Sequence, residues 1–394
     1  MRRFSGLVRS VRFGALAAVL AASPAMADEP LQLGAVYTGD MMATVSGGAD
    51  HRLRYLDNID LTADADLDAM IGWKGAKAHV HILSNMGARP NDGAGTLQGV
   101  DNIEVGSAAL RLFEAWIEQE FGAASIRAGL YDLNSEFYAS DSAGMLLAPP
   151  FGIGSELAST GPNGPSIFPS TALAVRLGIK LPGEGSYLNL AAVNARASTL
   201  GDEDGIDFSF REGVLLIGEA GTQIAGFRLH GGGWTYSRKR EDMFHTDGLG
   251  NPLMQSTWGA FAGLEAPVIA RDDRKLTAFL RGGFSEGHTT PYAYGAQIGL
   301  LLEPALSGRA DSAFSLGVHY ARTNADFRAA TLLAGDNPAP SEYALELTYA
   351  DKLAPWLTVQ PDFQVVANPG GIAGRSPALV AGLRFSLEWS SADD

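Results

Sequence analysis

Not one of the 394 residues is cysteine, so disulfide staples and thiolate chemistry are both excluded. The chain is short of basic residues too. Its 29 Lys and Arg stand against 44 Asp and Glu, a formal charge of −15, which argues against nucleic acid as a partner. Missing too is an apolar run able to cross a membrane as a helix. The longest uncharged stretch, 157–175, contains Pro162, Pro165 and Pro169, a density that no spanning helix tolerates. Beyond the N-terminus no segment has a clear helical period. What remains is either a soluble β-protein or a closed barrel, which alone among non-helical structures satisfies every backbone group in lipid.

Residues 1–27 have the form of a secretory signal peptide. Arg2, Arg3, Arg9 and Arg12 precede the apolar FGALAAVLAA, and Ala25-Met26-Ala27 is a small-x-small cleavage pattern. Removing these residues takes away four positive charges and moves the formal charge from −15 to −19. The expectation is an exported, acidic mature chain, with 28–394 forming one domain.

That domain alternates. In RLFEAWIEQEF, 111–121, Glu114, Trp116, Glu118 and Glu120 interleave with Phe113, Ala115, Ile117 and Phe121. A strand places these two sets on opposite faces, whereas a helix scatters both. TALAVRLGIKL sets Leu173, Val175, Leu177 and Ile179 against Arg176 and Lys180 in the same way. Sixteen such segments recur, near 31–45, 53–68, 75–85, 108–121, 124–132, 170–181, 186–196, 212–221, 225–238, 255–267, 274–285, 291–303, 312–324, 341–351, 356–366 and 377–389. From the third onward, long connections alternate with short ones until GHTT, which is short where a long loop is due. Short turns on one side and long loops on the other describe an outer-membrane barrel. Aromatics also bracket apolar stripes, as with Tyr343 and Tyr349 around Leu345 and Leu347, the pattern that two membrane interfaces select. A large soluble β-sandwich or propeller alternates as well. The signal peptide, the loop rhythm and the terminal strand together favour the barrel.

Three motifs suggest other chemistry. GFSEG at 283–287, beside His288, spells a nucleophile elbow but lacks the following helix and a suitably placed later histidine. His79 and His81 share one strand face, yet no carboxylate or cysteine follows at metal-ligand spacing. PPFGIGSE at 149–156 is glycine-rich without the strand-to-helix context of a phosphate loop. No cofactor is expected.

With Phe113, Ala115, Ile117 and Phe121 toward lipid, Glu114, Trp116, Glu118 and Glu120 face the lumen, and Arg127 and Tyr131 of the next segment join them. Asp60, Asp64, Arg176, Arg228, Glu265, Arg281, Glu346, Asp362 and Arg384 also fall on predicted inner faces. Both signs line the interior, so it is neither a pure cation filter nor a pure anion filter. Carboxylates and guanidiniums can hydrogen-bond hydroxyls, and aromatic rings can stack on a sugar ring. The mixture suits a neutral polyhydroxylated solute; charges that merely pair across the barrel would look the same.

RLFEAWIEQEF, RAGLYDLNSEFY, FGIGSELASTGPNGPSIFPSTALAVRL, EGVLLIGEAG and PWLTVQPDFQVVANPGG together resemble the OprB-type carbohydrate-selective porins, from about residue 53 onward. The resemblance implies an all-β transmembrane antiparallel barrel of about 16 strands in the outer membrane of a Gram-negative-type bacterium. It implies facilitated passive diffusion of sugars and no enzymatic activity, with an inward loop narrowing the channel. The motif matches carry over Glu114, Trp116, Glu118, Arg127 and Glu136 as pore-lining residues; Tyr131 and Arg176 join them from the predicted inner faces. The expected partners are small neutral carbohydrates and outer-membrane lipids, with a homo-oligomer left open. A general, non-selective diffusion porin is the alternative, and an outer-membrane hydrolase a more distant one. Ser390 to Asp394 extend past Trp389, where many such barrels stop at a terminal aromatic. The long segment 133–169 is restricted by its prolines and glycines, and is expected to enter the lumen and bring Glu136 toward Glu114, Trp116, Glu118, Arg127 and Tyr131; an extracellular lid over the mouth is the alternative.

Overall fold

Each of the sixteen alternating segments is a strand. The computed structural model describes residues 29–271 and 274–393, so the segment assigned as a signal peptide lies outside the described residues. The first half of the wall comprises β1 (Leu31–Ser46), β2 (Arg54–Asp66), β3 (Ala76–Gly87), β4 (Ala109–Phe121), β5 (Ala124–Tyr131), β6 (Ala172–Lys180), β7 (Tyr187–Asn194), β8 (Val214–Ile224) and β9 (Phe227–Tyr236). Two short strands, β10 (Arg240–Thr246) and β11 (Pro252–Gln255), form a separate hairpin. The second half comprises β12 (Trp258–Arg271), β13 (Arg274–Ser285), β14 (Tyr292–Glu303), β15 (Ser312–Thr323), β16 (Ser341–Ala354), β17 (Leu357–Ala367) and β18 (Ala378–Ser390).

The sixteen wall strands form a closed antiparallel barrel in which each pairs with its neighbours in sequence, β9 joins β12, and β18 returns to β1. Closure leaves no open edge in lipid. At the seam Asp40 faces Arg384 in register. Their side chains make a buried bidentate pair, with Arg384 Nε 2.9 Å from Oδ1 and Nη2 2.6 Å from Oδ2.

All the long connections leave from one end of the barrel. The tight turns at 122–123 and 225–226 leave from the other, which is the asymmetry of an outer-membrane barrel with short periplasmic turns and long external loops. GHTT belongs to the long-loop end and is simply a short member of that set. Trp258, Phe284, Tyr294, Tyr320 and Tyr343 lie at the loop ends of successive strands. Phe121, Phe227, Tyr349, Trp356 and Trp389 lie at the turn ends. Between the two rings the outer face presents Leu280, Ile298, Leu300, Val318, Leu345 and Leu347 to the surroundings. These residues are exposed, but the medium they meet is hydrocarbon, with aromatic girdles at its two boundaries. Beyond Trp389 the chain continues into a short turn in which Ser391 Oγ accepts the Leu33 amide at 2.9 Å.

One expected orientation is reversed. His81 pairs with Glu114 and Ile82 with Leu112, so Phe113 is the extra residue of a β-bulge. A bulge lets two successive side chains share a face. Phe113 therefore joins Glu114 on the lumen side, edge-on to His81 at 5.1 Å and near Phe168. Ala115, Ile117 and Phe121 keep the expected outward orientation.

Candidate functional site

The inner wall is uneven in character, and its sequence determines what fills it. From β6 to β12 it presents Ala172, Ala174, Ala191, Val193, Leu215, Ile217, Trp234, Tyr236 and Phe261, all buried. An apolar surface facing a lumen has to be covered, and the segment 132–171 covers it. Its Leu133, Phe137, Tyr138, Ile153 and Leu157 pack into that wall as one cluster, and the Tyr138 ring stacks on Phe261 at 4.3 Å. This long loop enters the barrel as expected.

Backbone groups inside a barrel need partners, and the charged inner residues supply them. Glu219 accepts the Tyr138 amide at 2.7 Å, and Glu265 accepts that of Ser142 at 2.9 Å. Glu346 takes the amides of Leu147 and Ala148. From β13, Arg281 donates to the carbonyls of Tyr138, Pro150 and Gly152 at 2.8, 2.6 and 2.9 Å. Gln360 of β17 reaches the Met145 carbonyl at 2.7 Å. The loop thus crosses from β5 to the far wall. Glu265 and Glu346, expected from the sequence to line the pore, act instead as its seat.

A second loop, 88–108, also turns inward. Glu342 accepts the amides of Leu97 and Gln98 at 2.8 and 3.0 Å. Val100 and Ile103 pack with Met42, Leu56, Val366 and Val380. The sequence singled out one inward loop; among the described residues a second joins it.

Between these fillings lies a charged cluster on β4, β5 and β6. Glu118, Arg127 and Arg176 point inward from adjacent strands because Glu118 pairs in register with Arg127, and Arg127 with Arg176. Glu136 descends on them from the loop. Arg127 Nη2 lies 2.6 Å from Glu118 Oε2 and Arg176 Nη2 lies 2.9 Å from the same oxygen. Arg176 also grips Glu136 through Nε and Nη2, both at 2.8 Å, the planar fork geometry in which guanidinium excels. Tyr131 donates its hydroxyl to Glu136. Two carboxylates and two guanidiniums leave the quartet formally neutral. Glu136, Arg127 and Glu118 retain some exposure, whereas Arg176 is buried behind them.

Trp116 and Glu114 sit beside the quartet. The guanidinium of Arg127 covers one face of the Trp116 ring, and His79 stacks on it at 5.0 Å, nearly parallel. Trp116 Nε1 donates to Glu114 at 3.2 Å, and Glu114 also accepts the Asp132 amide at 3.0 Å, tying the strand to the loop. Gly129, opposite Trp116, has φ +143°, and a Cβ there would lie 2.1 Å from the Ala115 carbonyl oxygen. Only glycine fits. Its bare backbone separates Arg127 from Tyr131 along the inner face. A recess of about 210 Å³ opens below the quartet toward the short turns, lined by Glu118, Glu120, Ser125, Lys180, Tyr187 and Asn189 among others.

All seven residues singled out from the sequence, Glu114, Trp116, Glu118, Arg127, Tyr131, Glu136 and Arg176, meet in this cluster. The sequence missed the company His79 and His81 keep. Neighbouring strands bring Asp64 within 2.8 Å of His79 Nδ1, and Asp60 within 2.8 Å of His81 Nε2. Such cross-strand partners are invisible to spacing along one chain segment. Both faces of Trp116 are occupied and Tyr131 is buried, so in this arrangement neither ring is open for stacking. The GFSEG segment is the end of β13 running into the next connection, with no helix after it, and Ser285 donates to the Tyr292 carbonyl at 2.6 Å. PPFGIGSE lies within the inserted loop as parts of two single-turn helices.

The family model of the carbohydrate-selective porins, OprB family, matches residues 50–388. The chain belongs to the OprB family. It is an outer-membrane channel of the Gram-negative type through which carbohydrates pass by diffusion, and not an enzyme. Porin B of Pseudomonas aeruginosa is 24% identical over 396 aligned positions, covering 89% of this chain and 85% of that protein. The high-pH structure of Pseudomonas putida OprB superposes with a TM-score of 0.81 at 23% identity, covering 91% of this chain and 94% of that one. The outer-membrane channel DcaP of Acinetobacter baumannii shares the architecture more loosely, with a TM-score of 0.56 at 12% identity over 91% of this chain and 97% of its own. For an OprB-family barrel the inward loop and the cluster it meets are the natural place to seek selectivity.

Proposed function

We propose that Glu118, Arg127, Glu136 and Arg176 form the selective constriction, and that it favours small neutral carbohydrates over ions. One observation carries this reading: two carboxylates and two guanidiniums, joined by three ion pairs of 2.6–2.9 Å and a fourth, Arg127 to Glu136, at 3.8 Å, present donors and acceptors on a site of zero formal charge. An ion entering it gains from one sign and loses to the other. A sugar hydroxyl both donates and accepts, and can bond both kinds of group while replacing some of its water. Recognition here rests on hydrogen bonds from Arg127, Glu118 and Glu136, with Trp116 holding Arg127 in plane rather than offering a free stacking face.

Planar-bilayer recordings test this proposal. Added neutral monosaccharide should reduce the ion current in a saturable way, and Arg127→Ala should weaken that block. If sugars leave the current unchanged at millimolar concentration, or if Arg127→Ala blocks as the wild type does, a general diffusion pore becomes the better description.

A further inference from the structure

At the long-loop end, three connections bring four ligand-type side chains together. Asp242 and His245 come from β10, His288 from the loop between β13 and β14, and Asp326 from the first turn of the helix Ala325–Leu333. His288 Nδ1 lies 2.7 Å from Asp326 Oδ2 and 3.7 Å from Asp242 Oδ2. His245 Nδ1 lies 3.2 Å from Asp242 Oδ1 and 3.6 Å from Asp326 Oδ2. One donor atom from each residue falls within 4.8 Å of all the others.

Two further features separate this group from an ordinary surface cluster. Both carboxylates are buried, with side chains 0% and 9% exposed, while the imidazoles are about half exposed. Among the described residues neither carboxylate has a Lys or Arg partner; their only ionic partners are the two histidines. Two adjacent buried carboxylates without a fixed cation are costly. The frame is also held by neutral hydrogen bonds, some through Asp242 itself, whose Oδ2 accepts from Gln255 Nε2 at 3.2 Å. The amides of Phe244 and His245 bond Asp242 Oδ1 at 2.9 and 2.8 Å. Met243 N donates to the His288 carbonyl at 2.9 Å. Glu286 fixes the His288 amide at 2.7 Å, and Asn324 caps the helix through the Phe327 amide while donating to the Thr290 carbonyl.

We propose that Asp242, His245, His288 and Asp326 bind a divalent transition-metal ion of the zinc type and thereby clasp three external loops together. Two imidazole nitrogens and two carboxylate oxygens are a donor set zinc accepts. A tetrahedral ion with bonds of about 2.0–2.1 Å holds its ligand atoms roughly 3.3–3.4 Å apart. The four His–Asp separations above, two of them to different oxygens of Asp242, run from 2.7 to 3.7 Å and bracket that value. A hard cation such as calcium wants about six to eight oxygens, which this site does not offer. The chelate closes on the outer surface, away from the constriction, so its role is to stiffen the mouth rather than to act on solute.

Untagged protein purified in detergent, stripped with EDTA and titrated with zinc against a chromophoric chelator tests the proposal. The expected result is one tight zinc per chain, weakened at least about a hundredfold in the His245→Ala/His288→Ala protein, with unchanged heat-modifiable gel mobility showing an intact barrel. Asp326→Asn should weaken binding too, and zinc should slow protease cleavage within 237–257 and 324–340. The proposal is overturned if zinc binds at no defined stoichiometry, or if the double-alanine protein binds it equally well. It is likewise overturned if the lumen variant His79→Gln/His81→Gln is the one that loses it.

Discussion

Arg127 holds its guanidinium carbon 3.8 Å from the centre of the Trp116 ring while bonding Glu118 through Nε at 2.7 Å. The ring is therefore a backstop for the cation, braced by His79 on its far side. Replacing Trp116 with Ala should leave the pore's width nearly unchanged but let Arg127 move. A cation–π contact of this kind contributes about 0.5–2 kcal/mol, so sugar block of the current should weaken about threefold to tenfold, roughly 0.7–1.4 kcal/mol. Single-channel conductance should change little. A large conductance rise would mean that the ring itself bounds the opening.

The balance of the quartet makes its ion preference adjustable in either direction. Glu118→Gln leaves two guanidiniums against one carboxylate and should shift the zero-current potential in a salt gradient toward anions. Arg176→Gln should shift it toward cations, because Glu136 and Glu118 lose a shared partner. Opposite signs are the expected outcome, and equal signs would place the limiting charges elsewhere.

Arg281 holds three loop carbonyls at once. Hydrogen bonds from a charged group contribute about 1.5–3 kcal/mol each, so Arg281→Ala should release the middle of the loop without opening the barrel. Bilayer recordings should then show higher and noisier conductance and weaker sugar block. Removing 141–160 should raise the conductance further.

Glu156 lies inside the same loop, with Tyr138 Oη donating to it at 2.8 Å. Burial pushes its carboxyl above the ordinary glutamate value of 4.5, with the Tyr138 hydrogen bond and nearby Arg281 opposing that shift. A raised carboxyl favours the neutral form in the folded loop, so this contribution to seating the loop is present at low pH and lost as pH rises through the raised value. Current noise should therefore grow with pH from the wild type's carboxylate range upward, and Glu156→Gln should flatten the profile. An unchanged profile in that variant would assign the effect to another group.

On the outer wall, Leu345 lies mid-strand between Tyr343 and Tyr349 and pairs with Val318 and Val365. Leu345→Arg should cost about 2–4 kcal/mol when refolding into vesicles is followed by urea titration. Glu120→Lys, on the lumen side beside Lys77, should refold normally and alter only conduction.

The strands were legible because each meets two different solvents, and an alternation of Leu345, Leu347 and Tyr349 with Glu346 and Thr348 records both. The cluster was legible for the same reason. Once Glu118, Arg127 and Arg176 are assigned inward, antiparallel register brings them level. Phe113 was not, since a bulge adds one residue to a strand without marking it in the pattern. Nor could alternation tell that Glu219, Glu265 and Glu346 bind loop amides, since a carboxylate facing water and one facing a backbone N–H have the same period. The β10–β11 hairpin and its meeting with His288 depend on contacts between loops far apart in sequence, where no periodicity operates.

The loop 132–171 emerges after the fifth strand, but the groups that hold it arrive on β8, β12, β13, β16 and β17. Much of its docking surface is therefore built by strands that follow it in the chain. The loop has its full seat only in the closed barrel, so the constriction depends on the seam between Asp40 and Arg384 as well as on its own four residues.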